Sequence, residues 1–394
     1  MNEIKRPSTL LLALLISLCA VNAVLFSPAL TGVAQFYHVS NGAAQHTISI
    51  YMLGYALGPL FYSPFANAFG RKRTLFGGLI IGFIGAILCI AAMPLHSFST
   101  LLAGRCLTSV GLSAGYGISF TIVHDYYEPA KARNILALIT MAFAIGPGVA
   151  TTIGGILVNY FGWNSPFYAG AAYIALLFIL SFSLSETLTK AHHKPLNIGN
   201  TFSGYFSALK NPMLITYAMI YTGIPAVIYI FVATAPFIAM DFLHASPSTY
   251  GYWFLVVTLG YVAGNFFASF TSKRWDTRKT MWVGLWIMIL SSALLLVLFL
   301  LKVNYLAALF IPAGCLYFGM PAVYANAAVM STKSHTDKAN ASAMMAFISI
   351  VGAVIGVSIS SGFKSGFEFI TPTMLLVCSL LITGLFIFAR RFGD

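Results

Sequence analysis

Charge is what this sequence has least of. Only 8% of its 394 residues are charged, and just nine are acidic. A chain with so few charges cannot wrap an apolar core in solvated surface, which excludes an ordinary water-soluble domain. Cysteine is also scarce. Cys19, Cys89, Cys106, Cys315 and Cys378 lie far apart inside apolar runs, which excludes a disulfide framework and a zinc site of the usual spacing. There is no glycine loop followed by lysine and serine or threonine, no HExxH helix and no nucleophile elbow. An ATP-driven pump and an enzyme are therefore not expected, and neither is a metal or organic cofactor. His192-His193 stands alone in a polar stretch. The carboxylates Glu3, Asp125, Glu128, Glu186, Asp241, Asp276, Asp337, Glu368 and Asp394 avoid the middle of every apolar run.

What the chain has is apolar length. Residues of hydrophobic type make up 59%, and runs near the roughly 20 residues that cross a bilayer recur from end to end. Spans are predicted at 9 to 35, 44 to 66, 74 to 93, 98 to 123, 135 to 158 and 165 to 184. Six more follow at 212 to 237, 248 to 270, 280 to 301, 304 to 330, 340 to 362 and 368 to 389. The expected fold is an all-α membrane protein of twelve transmembrane helices in two pseudo-symmetric six-helix bundles. The bundles are 1–184 and 212–394, joined by a polar cytoplasmic linker at 185–211. Lys5 and Arg6 ahead of an apolar run imitate a signal peptide, but the run continues to about Phe36, so the first helix is expected to stay.

The formal charge of +12 does not form a nucleic-acid face, because the basic residues sit in short clusters between spans. Eighteen of the 21 lysines and arginines fall in one set of alternate loops; Lys302 and Lys364 fall in the other, and Arg105 lies inside a span. Cytoplasmic loops retain positive charge, so both termini are expected in the cytoplasm of a bacterial inner-membrane protein. An internal repeat supports two homologous halves. Gly70-Arg71-Lys72-Arg73-Thr74 follows the second span, and Thr277-Arg278-Lys279-Thr280 follows the eighth. Such halves, with a small molecule held between them at mid-membrane, describe a secondary transporter working by alternating access.

The stretch Gly58-Pro59-Leu60-Phe61-Tyr62-Ser63-Pro64-Phe65-Ala66-Asn67-Ala68-Phe69-Gly70-Arg71-Lys72 resembles the loop between helices 2 and 3 of the major facilitator superfamily. Within that superfamily the chain is most similar to the twelve-helix drug:proton antiporters of the Bcr/CflA type. Arg105 matches the arginine of the family's fourth-helix motif. Gly146-Pro147-Gly148 and Gly154-Gly155 resemble the antiporter motif of the fifth helix. Gly70, Arg71, Lys72, Gly146, Pro147, Gly154 and Gly155 are thus implied to serve conformational change. The resemblance implies an efflux transporter of small organic molecules, with protons as a candidate coupling ion and a monomer as the expected state. Asn67 replaces the family's acidic residue, and Val24 stands where a first-helix carboxylate is common.

Arg105 is conspicuous without any family, since a guanidinium inside a span costs several kcal/mol unless it is paired or hydrated. A cavity holding Arg105 and no carboxylate attracts anions. An alternative cargo is therefore an organic anion, such as a carboxylate siderophore, moved in either direction with Arg105 as counter-ion. The resemblance implies a cavity lined by helices 1, 4, 7 and 10. Helical spacing then nominates Asn22 and Phe26 on the first, Arg105, Thr108 and Tyr116 on the fourth, Tyr221 on the seventh, and Tyr317 and Tyr324 on the tenth. Tyrosine joins an apolar ring to a hydrogen-bonding tip, which suits amphipathic ligands. His124 and Asp125 at the end of the fourth span are the proton-coupling candidates, His124 by its intrinsic pKa. A non-transporting membrane sensor or assembly partner that keeps the fold remains a reading of another class.

Overall fold

The computed structural model describes residues 7–188, 211–333 and 338–389. The charged groups Glu3, Lys5, Arg6, Lys190, Lys194, Lys210, Asp337, Arg390, Arg391 and Asp394, the pair His192-His193 and most of the expected linker lie outside them. Among the described residues every regular element is helical. The helices are α1 Thr9–Leu25, α2 Leu30–Phe36, α3 Asn41–Phe69, α4 Arg71–Ala91, α5 Phe98–Tyr126, α6 Pro129–Phe161 and α7 Ser165–Leu180. The second half holds α8 Pro212–Pro236, α9 Pro247–Thr271, α10 Thr277–Leu300, α11 Leu306–Lys333, α12 Lys338–Ser361 and α13 Phe367–Ala389.

Eleven helical segments among the described residues are long and apolar enough to cross a membrane, with α1 and α2 counted as one. The remaining expected span, the second, is α3, which reaches 29 residues and has no Asp, Glu, Lys or Arg. Gln45, His46, Thr47, Ser49 and three tyrosines lower its hydropathy, because much of this helix faces protein instead of hydrocarbon. Several buried or half-buried hydroxyls are satisfied within their own helices: Thr108, Thr258, Ser292 and Thr383 each donate to the carbonyl four residues back.

Two departures from regular helix separate the expected spans from the observed ones. Pro28 cannot donate an N–H to the ladder, and the first span breaks into a 3-10 turn at Ser27–Ala29 between α1 and α2. The seventh span ends in a π-helical turn, Phe237–Phe242, immediately after Pro236. Both distortions lie at the same end of the bundle, distal to the helix ends nearest the chain termini.

Packing repeats with a shift of six spans. In the first half α4 lies on α5, α3 on α5, the first span on α6 and on α5, and α4 on α7. The second half matches each of these: α10 on α11, α9 on α11, α8 on α12 and on α11, and α10 on α13. The two major contacts between halves, α6 with α9 and α3 with α12, exchange under the same shift. The fold is therefore two pseudo-symmetric bundles facing each other across two equivalent seams.

Candidate functional site

Both seams depend on close backbone approach. A Cβ added to Gly155 would lie 2.3 Å from the carbonyl oxygen of Pro247 on α9, and one on Gly154 would lie 2.1 Å from that of Leu25. The small residues of α6 thus let it touch both α1 and α9, as the fifth-span motif suggests. Thr152 completes the seam by donating its hydroxyl across to Gly251 O at 2.8 Å.

Further bonds between halves gather at the end distal to the termini. Ser27 donates to Val232 O at 2.8 Å and meets the Tyr250 hydroxyl at 3.1 Å. Asn41 donates to the Asp241 carboxylate at 3.0 Å, and Ser360 donates to the Gln45 amide oxygen at 2.5 Å. The irregular backbone at Ser27–Ala29 and Phe237–Phe242 lies beside these bonds.

Between the halves lies a cavity of about 190 Å³ whose wall contains Tyr55, Tyr116, Tyr221, Tyr229, Tyr261, Tyr317 and Tyr324. Pro59, Pro147 and Pro225, each interior to a helix, also line it. Prolines free backbone carbonyls and bend helices, and in a membrane such irregular backbone is tolerated where it borders a cavity. Val24 is in the same wall, and among the described residues no Asp, Glu, Lys, Arg or His lines this cavity. Tyr221 and Tyr324 stack at 4.0 Å between centroids, with the Tyr221 hydroxyl donating to that of Tyr324. Tyr317 donates to Ile228 O at 3.2 Å. The chemistry on offer is ring faces, a few hydroxyls and aliphatic surface.

Arg105 lies elsewhere. It is 3% exposed. Its guanidinium donates to Thr47 O and Asn22 O, both at 3.3 Å, and to Ala23 O at 3.5 Å. The group is sandwiched by Tyr51 and Phe26, whose ring centroids lie 4.1 and 4.7 Å away. Tyr51 is itself held by donating to Cys19 O at 2.8 Å. Beside this cluster is a second, small cavity of about 20 Å³, walled by Asn22, Phe26, Cys89, Arg105, Thr108 and Phe167.

The end nearer the termini is organised within the first half. Gly70 adopts φ +104°, and its missing Cβ leaves room for the Glu186 carboxylate, which would lie 2.4 Å from that atom. Glu186 accepts from the backbone N–H groups of Arg71 at 2.9 Å and Lys72 at 3.1 Å, so a carboxylate caps the positive end of α4. Arg71 Nε donates to Asp125 at 2.8 Å, and Thr187 donates to the same oxygen at 2.9 Å. Arg71 and Asp125 form the ion pair seen among the described residues.

The residues nominated from sequence therefore divide between three places. Tyr116, Tyr221, Tyr317 and Tyr324 line the large cavity; Asn22, Phe26, Arg105 and Thr108 line the small one. Asp125 is tied into the Arg71 cluster, with the exposed His124 beside it at the end of α5, and neither lines a cavity described above. Gly146, Pro147, Gly154 and Gly155 all lie on α6. Tyr55, Tyr229 and Tyr261 were missed, since two of them come from α3 and α9, outside the four helices implied by resemblance. The low hydropathy of a charge-free α3 was the available signal.

A helical membrane protein whose halves meet around such a cavity is built to carry small molecules. The Major Facilitator Superfamily model matches residues 10–242 and 222–393, and the chain belongs to that family of transporters, not to an enzyme family. It is 28% identical to the chloramphenicol resistance protein CraA of Acinetobacter baumannii over 303 residues, 75% of this chain and 69% of that one. It is 26% identical to a bicyclomycin resistance protein homolog of Haemophilus influenzae over 260 residues, 64% of this chain and 62% of the relative. These relatives agree with the resemblance to Bcr/CflA-type exporters. In fold it is similar to a bacterial homolog of the human lysosomal transporter Spinster, with a TM-score of 0.75, 14% identity and coverage of 97% and 96% of the two chains.

Proposed function

We propose that this transporter exports neutral, aromatic-bearing small molecules, which it holds in the tyrosine cavity between the halves. The observation that carries this reading is the wall itself. Among the described residues, seven tyrosines and no charged side chain border the cavity, and Val24 occupies the position where the resemblance implies a carboxylate. Such a wall favours flat apolar molecules with one or two hydrogen-bonding groups, and gives an ionised cargo no partner. Chloramphenicol, the drug in the name of one relative, is a neutral aromatic amide of this kind.

Transport proceeds by alternating access, with the bundles 1–184 and 212–394 rocking about the α6–α9 and α3–α12 seams and the segment 185–211 linking them. The distribution of basic residues over alternate loops supports a cytoplasmic location for both termini. In that orientation the bonds of Ser27, Asn41, Gln45 and Thr152 to the other half close the outer side. The cavity wall runs inward to Leu60 and Phe347, as cargo pick-up from the cytoplasm requires. Arg71, Lys72 and Glu186 anchor the inner end of α4 for this motion. Protons are the candidate coupling ion, and His124 and Asp125 the candidate carriers. An organic-anion cargo, siderophores included, would have to reach Arg105, whose cavity of about 20 Å³ is too small for one.

A thermal-shift panel on the purified full chain tests the proposal, because a ligand of the folded state raises its apparent stability. Neutral aromatics such as chloramphenicol are expected to stabilise the protein, and citrate-like carboxylates are not. Stabilisation by organic carboxylates alone would overturn the reading. A complete lack of response to any ligand would favour a sensor or assembly role.

A further inference from the structure

The small cavity beside Arg105 has an electrostatic problem that the cargo site does not solve. A buried guanidinium needs charge compensation, and taking one out of water costs several kcal/mol even after relaxation. Its three hydrogen bonds, at 3.3 to 3.5 Å, are longer than the roughly 2.7–2.9 Å of charge-assisted bonds. Their acceptors are all neutral carbonyls. Among the described residues no carboxylate pairs with it: Asp125 and Glu186 are engaged at the opposite end of α5, about 30 Å away by helix rise, and Asp241, at the end distal to the termini, accepts from Asn41. The faces of Tyr51 and Phe26 offset only part of the charge.

The adjoining cavity has the size of one monatomic ion. A single water needs about 10–15 Å³ of such space, and this cavity offers about 20 Å³. Its polar wall consists of the Arg105 guanidinium, the Asn22 amide, the Cys89 thiol and the Thr108 hydroxyl. Thr108 is committed to Gly104 O at 2.8 Å, and Asn22 Nδ2 to Leu18 O at 3.1 Å, which leaves the guanidinium as the dominant charge facing the space. The rest of the wall, including Phe167, Ala86 and Ala171, is apolar. Soft, weakly hydrated monovalent anions suit such a mixed wall, because they lose little solvation on entry.

We propose that this pocket binds a chloride ion, or a monovalent anion of similar size, as the resident counter-charge of Arg105. The bound ion would join α1, α4, α5 and α7 from within the first half and is not cargo. This inference does not depend on what the tyrosine cavity carries.

The test is the thermal midpoint of the purified full chain in sodium chloride, bromide or gluconate at equal ionic strength. Chloride and bromide are expected to raise the midpoint by several degrees with saturating dose dependence. Arg105→Gln should abolish the difference between anions. Because that variant removes bonds to three carbonyls that support folding, Ala171→Leu provides the second arm: it fills the cavity and keeps the guanidinium, and it too should abolish the difference. Equal midpoints for the wild type in chloride and gluconate would overturn the proposal, as would a chloride effect that survives in Ala171→Leu. In bromide-grown crystals, an anomalous peak beside the Arg105 guanidinium is expected, and bromide bound only elsewhere would contradict the assignment.

Discussion

The two cavities of this protein are built on opposite plans. The larger lies between the halves and is lined by tyrosines, prolines and aliphatic groups, with no charge in its wall among the described residues. The smaller lies inside one half and holds a guanidinium that is 3% exposed. Position explains the difference. In the proposed alternating-access cycle, walls that separate and rejoin are better served by hydroxyls and ring faces, which form and lose modest interactions, than by a buried ion that is costly to unpair. A charge bonded to the carbonyls of α1 and α3 from α5 instead fastens three helices of one rigid unit together.

If the cavities have separate tasks, substitutions should separate stability from cargo affinity. The largest effect is expected at Arg105. Arg105→Ala removes three bonds and two ring stacks, and should cost about 2–3 kcal/mol of stability, read as a lower thermal midpoint, while the surviving folded protein keeps its affinity for neutral aromatics. Tyr221→Ala should show the reverse pattern. Losing a stacked ring in the large cavity should weaken binding roughly tenfold, about 1.4 kcal/mol, in an equilibrium titration, with little change in midpoint. Val24→Glu sharpens the contrast by placing a carboxylate in the uncharged wall. Lipophilic cations should then stabilise the variant about 1–2 kcal/mol more than the wild type, at a pH where the new acid is ionised. Tyr324→Phe is the mildest change, because it removes only the hydroxyl that accepts from Tyr221. An affinity change of about two- to fivefold is expected, near 0.5–1 kcal/mol.

The helices were legible because a bilayer imposes one length and one composition on every span. Residues 280 to 301 and 368 to 389 were expected, and Thr277–Leu300 and Phe367–Ala389 are observed. The break at Ser27–Ala29 and the π-helical turn at Phe237–Phe242 were not anticipated in detail, although Pro28 and Pro236 mark both. The candidate site was legible in part. Helical spacing correctly groups residues by face but says nothing of depth. Arg105 and Tyr116 share a face of α5, yet eleven residues at 1.5 Å each separate them by about 16 Å along the axis. They consequently border different cavities. Tyr55 and Tyr261 escaped notice because contacts between spans are set by tertiary packing, which periodicity within one span does not encode.

The most direct measurement is photo-crosslinking of the full chain with a neutral aryl-azide probe, followed by mass-spectrometric mapping of the labelled residues. Labels on cavity-lining segments of α3, α8 and α11, competed away by chloramphenicol, are the predicted result. Competed labelling confined to the Arg105 cluster of Asn22, Phe26 and Thr108 would contradict the assignment of cargo to the tyrosine cavity.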